Sequence, residues 1–349
     1  MNGFSRFQNI NFKEGDFSLK KSNNDNLQAV LLVHLGTPDL PNRKSIRKYL
    51  SQFLSDPRVI KIPKIIWYPI LYCLILPIRS RKLQSKYVSI WKKDGSPLRF
   101  YSKCQLNCIK QLFEEKKLNI KIELAMRYGS PSILEILRNL HSQNYQKILI
   151  IPMYPQYSAS TTASVVDEAN RYLTNVYDQP ELRFIKRFYS SQYYISAIIH
   201  QIESSWEKRG KPEKLIISFH GLPKSSIKSG DPYYLDCIET VNLIKREINF
   251  LRENIEISFQ SRFGFLPWLK PSTNFVLKKL AKEGIQNVDV FCPGFVVDCL
   301  ETIEEIANES RSIFLNAGGK KFHYIPALNQ SPKWIENLSL MIEEHIQNW

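Results

Sequence analysis

Six apolar runs set the plan of the chain. In the first half these are "AVLLVHLGTP" (29–38), "IELAMRYG" (122–129) and "KILIIPMYPQ" (147–156), and in the second half "KLIISFHGLP" (214–223), "EISFQSRFG" (256–264) and "VDVFCPGFVV" (288–297). Each is short, nearly continuous in apolar residues, and closed by Gly or Pro, the pattern of a strand buried on both faces. Stretches with helical spacing follow them, so the order reads as βαβ units and predicts parallel sheets covered by helices. The runs recur in the same order, which predicts an α/β fold of two similar Rossmann-like lobes with a ligand cleft between them, beyond the carboxyl ends of the strands. His34, Arg127, His220 and Arg262 fall at such ends.

The halves differ in length. Gly36 to Gly129 spans about fifty residues more than Gly221 to Gly264, so the first half carries an insertion on the shared plan. The expected organisation is a loose tail over 1–27, a first lobe over 28–175 with an insertion at about 40–95, a second lobe over 176–330, and a terminal helix over 331–349. Within the insertion, fourteen uncharged residues from Ile65 to Ile78 lie between Lys61, Lys64, Arg79, Arg81 and Lys82. This run is shorter than the roughly 20 apolar residues that span a bilayer. With Trp67, Tyr68, Leu71, Tyr72 and Leu74 inside and bases at both ends, it is expected to form a membrane-facing lip on an anionic surface. Pro69 and Pro77 count against one long regular helix there.

Charge sharpens the picture. The chain holds 48 Lys and Arg against 33 Asp and Glu, yet Glu283 to Ser310 contains seven acids and no Lys, Arg or His. Within that window Glu301, Glu305 and Glu309 recur at four-residue steps, so a helix places them on one stripe, and a π-type widening would align them more closely. Such a row reads as a solvated acidic face or as a path for cations and protons. His220 at a strand tip reads as structural or as a base and metal ligand, and an imidazole converging with carboxylates suits Fe2+. The phosphate-binding and zinc-protease motifs and the nucleophile elbow are missing, and an acid-lined cleft opposes nucleic acid despite the net charge of +15. Six cysteines include no C-x-x-C pair and none follows Cys299, so neither a disulfide framework nor a cysteine-held iron-sulfur cluster in the last fifty residues is expected. The first residues lack a secretory pattern, which predicts a cytoplasmic location.

Nine collinear segments, "LLVHLGTPD", "FLSDPRVI", "GSPL", "RYGSPS", "YPQYSAST", "SFHGLP", "FQSRFG", "CPGFVVDCLETIEEI" and "YIPALN", make the chain resemble the ferrochelatase family over roughly residues 28–330. The resemblance implies an enzyme that inserts Fe2+ into protoporphyrin IX, with no organic cofactor and with iron as substrate. It implies His220 and Glu301 as catalytic and metal-binding residues, and Glu305 and Glu309 as a proton and metal path. Leu35, Tyr87, Ser96, Arg127 and Tyr128 match porphyrin-contacting positions, and Arg127, Tyr128 and Ser96 are expected at the propionates. Peripheral contact with the inner membrane, and with the preceding protoporphyrin-forming enzyme, is also implied. Cys299 stands where many members have histidine, and His34 where asparagine is frequent.

Overall fold

Eight strands form two four-stranded sheets with the same topology. The first contains β1 (Gln28–Gly36), β2 (Ile120–Tyr128), β3 (Lys147–Pro152) and β4 (Glu181–Phe184), in the order β2-β1-β3-β4. The second contains β5 (Lys214–His220), β6 (Ile255–Gln260), β7 (Asn287–Phe291) and β8 (Lys321–Tyr324), in the order β6-β5-β7-β8. All neighbouring strands run parallel. The computed structural model describes residues 27–262, 266–347 and 349, so the expected tail before residue 27 and Gly264 lie outside the described residues.

Burial explains why six of the eight strands were legible. Residues 29–33 of β1 are fully buried, alternating between two separate cores: Ala29, Leu31 and Val33 face one, Val30 and Leu32 the other. Burying such a side chain contributes about 1.5–3 kcal/mol, so a strand covered on both faces gains from an unbroken apolar run. Strand β5 does the same, with Leu215, Ile217 and Phe219 on one side and Ile216 on the other. The core that takes Val30 and Leu32 also takes Leu215 and Ile217, so it joins the two lobes. The helices Gln192–Arg209 and Pro332–Ile346 pack within it through Ile198, Ile202, Trp334 and Leu338. The last helix is therefore part of the interlobe packing, tied to the first lobe by Lys116 and Glu343 at 2.5 Å.

Strands β4 and β8 escape the apolar reading because each is a four-residue edge strand, ELRF and KFHY, with no fully buried position. Since β4 pairs with β3, the first lobe runs through Phe184, beyond the expected boundary at 175.

Helices Arg43–Leu54, Lys64–Ile70 and Leu76–Ile90 lie between β1 and β2, with a π-helical turn at Leu71–Ile75. The two prolines thus interrupt regular helix geometry without ending the helix: Pro69 sits inside one segment and Pro77 at the start of another. Ile65 is 86% exposed, Ile66 57% and Leu74 54%, and Tyr72 is also exposed. Trp67 and Leu71, expected on the same outer face, point inward. Leu71 is fully buried, and the Trp67 indole N–H donates to the Leu54 carbonyl at 2.7 Å. Helical periodicity within the run sends these two toward the Arg43–Leu54 helix and their neighbours toward solvent. No helix among the described residues is long and apolar enough to cross a membrane.

Candidate active site

The carboxyl ends of β5, β6 and β7 meet the start of the acid-bearing helix. His220 is the last residue of β5, half-buried, with its ring 6.5 Å from that of Phe295. Its Nδ1 lies 2.7 Å from the Gly221 carbonyl. A carbonyl only accepts, so Nδ1 carries the proton and Nε2 presents a lone pair in the neutral ring. Tyr233 donates its hydroxyl to the His220 carbonyl at 3.0 Å and fixes the strand tip from behind.

The acid helix starts from a buried clamp. Asp298 accepts from Thr302 Oγ1 at 2.9 Å, Tyr324 Oη at 2.6 Å and Asn329 Nδ2 at 2.7 Å. A short α-turn at Leu300–Thr302 then widens into a π-helix over Ile303–Ser310. The wider turn suits the four-residue acid spacing, and the row grades from Glu301 and Glu305, both partly buried, to exposed Glu309. Gln260 joins this helix to His220: it is the register partner of His220 across the sheet, and its side-chain amide donates to the Glu301 carbonyl at 2.8 Å.

Burial and like charge act on the row. Glu305 has its pKa pushed up from 4.5 to about 7, chiefly by burial and then by the Glu301 charge, despite a hydrogen bond from Ser261. Burial, with Glu301 beside it, also pushes the Cys299 thiol far up, so the thiol stays protonated. The Tyr87 hydroxyl is raised the same way. Against this, Lys86 reaches across from the lip helix to Glu304 at 2.7 Å and Glu309 at 3.3 Å. The charge that nothing nearby in sequence neutralises is met by a residue 218 positions away from Glu304.

Leu35, Tyr87, Ser96 and Glu301 come together around one small gap, with Thr37, Tyr49 and Cys299 also in its wall. Its volume is about 10 Å³, room for one water. Glu305 and Glu309 border an open cleft of about 850 Å³, lined also by Gly221, Ser261, Arg262 and Trp268. Among the described residues no group of three or more His, Cys, Asp or Glu side chains is placed to hold a metal ion.

Other expected residues are engaged elsewhere. Arg127 pairs with Asp56 at 2.7 Å and donates to Ser164, and the buried Tyr128 donates its hydroxyl to the same Asp56 oxygen at 2.7 Å. Both are held to the first lobe by Asp56, a carboxylate that the insertion supplies. Ser96 is buried and caps the helix Pro97–Glu115 by accepting from the Arg99 N–H at 3.2 Å. His34 is buried too, and burial lowers its pKa to about 3, so it stays uncharged. Gln260, Ser261, Tyr49 and Lys86 escaped sequence reasoning. The first two lie inside the quoted "FQSRFG" segment, while Lys86 carries no local signal.

Comparison with known proteins identifies the family and the fold. The family model for ferrochelatase matches residues 27–346. Ferrochelatases of Bordetella pertussis and Dechloromonas aromatica are 49% and 48% identical, over 92% of this chain and 89% and 88% of theirs. Among solved structures, SirB from Bacillus subtilis with Fe3+ superposes with a TM-score of 0.54 at 12% identity, covering 92% of this chain and 96% of that one. DR2241 from Deinococcus radiodurans, described as similar to chelatases, gives 0.52 at 9% identity, covering 89% of this chain and 54% of that one. At such identities these likenesses speak for the fold alone. With a family match across nearly the whole chain and close to half of all positions shared with its relatives, the chain belongs to the ferrochelatase family.

Proposed function

We propose that this enzyme inserts Fe2+ into protoporphyrin IX at the boundary between the lip and the acid helix, with His220 and Glu301 facing the ring centre. The reaction forms bonds from iron to the four ring nitrogens and breaks two pyrrole N–H bonds, so two protons must leave. The single observation that carries the reading is the joint at Gln260, which brings an imidazole with Nε2 available and a partly buried carboxylate row to the same strand ends. His220 Nε2 and the Glu301 carboxylate are each suited to accept a pyrrole proton or to bind the incoming ion. Glu305, titrating near neutrality, takes up and releases protons at little cost, and Glu309 leads on to solvent. Apolar walls supplied by Leu35, Tyr49 and Tyr87 grip the macrocycle and favour a bent form with exposed nitrogen lone pairs. The gap beside Glu301 is far smaller than a tetrapyrrole, so a ring seated against these walls requires the gap to widen.

At the lip, exposed Ile65, Ile66, Tyr72 and Leu74 flanked by Lys61 and Lys64 suit a shallow seat on an anionic bilayer from the cytoplasmic side. An apolar porphyrin, and the enzyme that forms it, would be met there. The test is iron insertion by purified His220→Ala and Glu301→Gln, followed by the absorbance change of protoporphyrin IX. Each should fall by ~10²-fold or more. Near-normal turnover in either removes that residue from the mechanism, and no turnover by the unaltered chain removes the reading itself.

A further inference from the structure

Two residues outside the acid row hold it in place. Gln260 ends β6, and its side-chain Oε1 accepts from Ser218 Oγ at 3.0 Å and from the Cys292 thiol at 3.3 Å. With Oε1 so occupied, the amide has one orientation, and Nε2 is left to donate to the Glu301 carbonyl at 2.8 Å. The Gln260 backbone carbonyl meanwhile accepts from the Gly221 N–H at 2.7 Å, next to His220. One buried residue therefore contacts the histidine loop on one side and the Glu301 backbone on the other.

Ser261 follows in an unusual conformation. Its φ is +58°, the left-handed region that side chains other than Gly, Asn and Asp rarely occupy. From there its hydroxyl donates to the Glu305 carboxylate. The turn is pressed against the histidine loop: a Cβ on Gly221 would stand 2.9 Å from the Ser261 carbonyl oxygen and 3.0 Å from that of Gln260. Consecutive residues at one strand end thus engage the Glu301 backbone carbonyl and the Glu305 carboxylate, four positions apart. In a regular α-helix four residues overshoot a full turn by about 40°, and the wider π-turn beginning at Ile303 reduces that drift.

The geometry points to Gln260 and Ser261 as the positioning pair of the metalation site, which set Glu301 and Glu305 in register against His220. This rests on the function proposed above. An unfavoured serine conformation whose hydroxyl ends on a carboxylate of the row is what a site-specific constraint requires, since glycine would make the same turn without strain.

The test uses the full chain with Ser261→Gly and Gln260→Met. Ser261→Gly removes the hydroxyl and relieves the backbone, so it should melt no lower than the unaltered protein while kcat falls several-fold and the porphyrin KM stays within about twofold. Gln260→Met keeps the volume and removes the donor, with kcat expected to fall ~10–100-fold. In a Glu305→Ala background, Ser261→Gly should add no further loss. Unchanged kcat in Ser261→Gly, a kcat that falls only in step with melting temperature, or an equal loss in the Glu305→Ala background would each overturn the assignment. An active parent chain with unaffected variants sinks only this inference, whereas an inactive parent sinks the function.

Discussion

Replacing Glu305 by Gln should make the protein more stable above neutrality and leave it unchanged in acid. Glu305 keeps its proton to about pH 7 in the folded chain, whereas an unfolded glutamate releases it near 4.5. Between those values the folded state binds more protons than the unfolded state, so stability falls as pH rises. The penalty is absent below 4.5 and complete above about 7. At ~1.4 kcal/mol per unit of pKa difference it amounts to ~3 kcal/mol, a sizeable share of the 5–15 kcal/mol that holds a typical domain folded. Gln keeps the size and retains an acceptor for Ser261, so it removes the ionisation and little else. Denaturant unfolding of both proteins at intervals from pH 4 to pH 8 isolates the effect, because every other titrating group is common to the pair. The gap should open toward pH 8 in favour of Glu305→Gln and close near pH 4, with constant m-values. A gap of equal size at both ends, or one favouring the unaltered protein at pH 8, would refute the view that burial, with Glu301 beside it, raises the Glu305 carboxyl. Iron insertion should move the opposite way and be slower in the more stable variant.

Three further outcomes concern the lip. Ile65→Glu with Ile66→Glu should abolish co-sedimentation with anionic vesicles while leaving the denaturation midpoint unchanged, since both side chains are exposed; Trp67→Phe should leave vesicle binding intact but cost about 1–3 kcal/mol by orphaning the Leu54 carbonyl. Lys86→Met, which removes a partly exposed pair, should cost under about 1 kcal/mol of global stability yet speed proteolytic cutting within the lip helix Leu76–Ile90. Equal cutting rates would mean that the lip is held by its apolar contacts alone.

The duplicated plan was legible because strands buried on both faces favour unbroken apolar runs, and Ala29 to Val33 and Leu215 to Ile217 follow that rule. Glu301 and Glu305 were legible because their spacing and isolation from bases are local properties. What stayed hidden depends on partners far away in sequence. Arg127 and Tyr128 read as free donors at a strand end until Asp56, 71 and 72 residues earlier, takes them both. Trp67 and Tyr72 look alike in composition, and only the phase of the helix separates the buried one from the exposed one. Gln260 gave no signal of its own, since an amide in a strand acquires meaning only from what sits opposite it.

The two lobes share a topology, so the chemistry must come from where they differ. The first lobe departs by inserting the lip between β1 and β2, and the second by widening the helix after β7 into a π-turn lined with acids. These two departures touch each other: Lys86 from one meets Glu304 and Glu309 of the other, and Tyr87 beside it faces Glu301 across the small gap. On the function proposed above, a flat, apolar substrate seated between Tyr87 and Glu301 would part this contact and withdraw the Lys86 ammonium from the outer end of the acid row. With Lys86 withdrawn, the negative charge of the row would be less compensated, which favours entry of a divalent cation over its absence. On that proposal, opening for the porphyrin and readiness for iron are one movement, because the same helix carries both Tyr87 and Lys86.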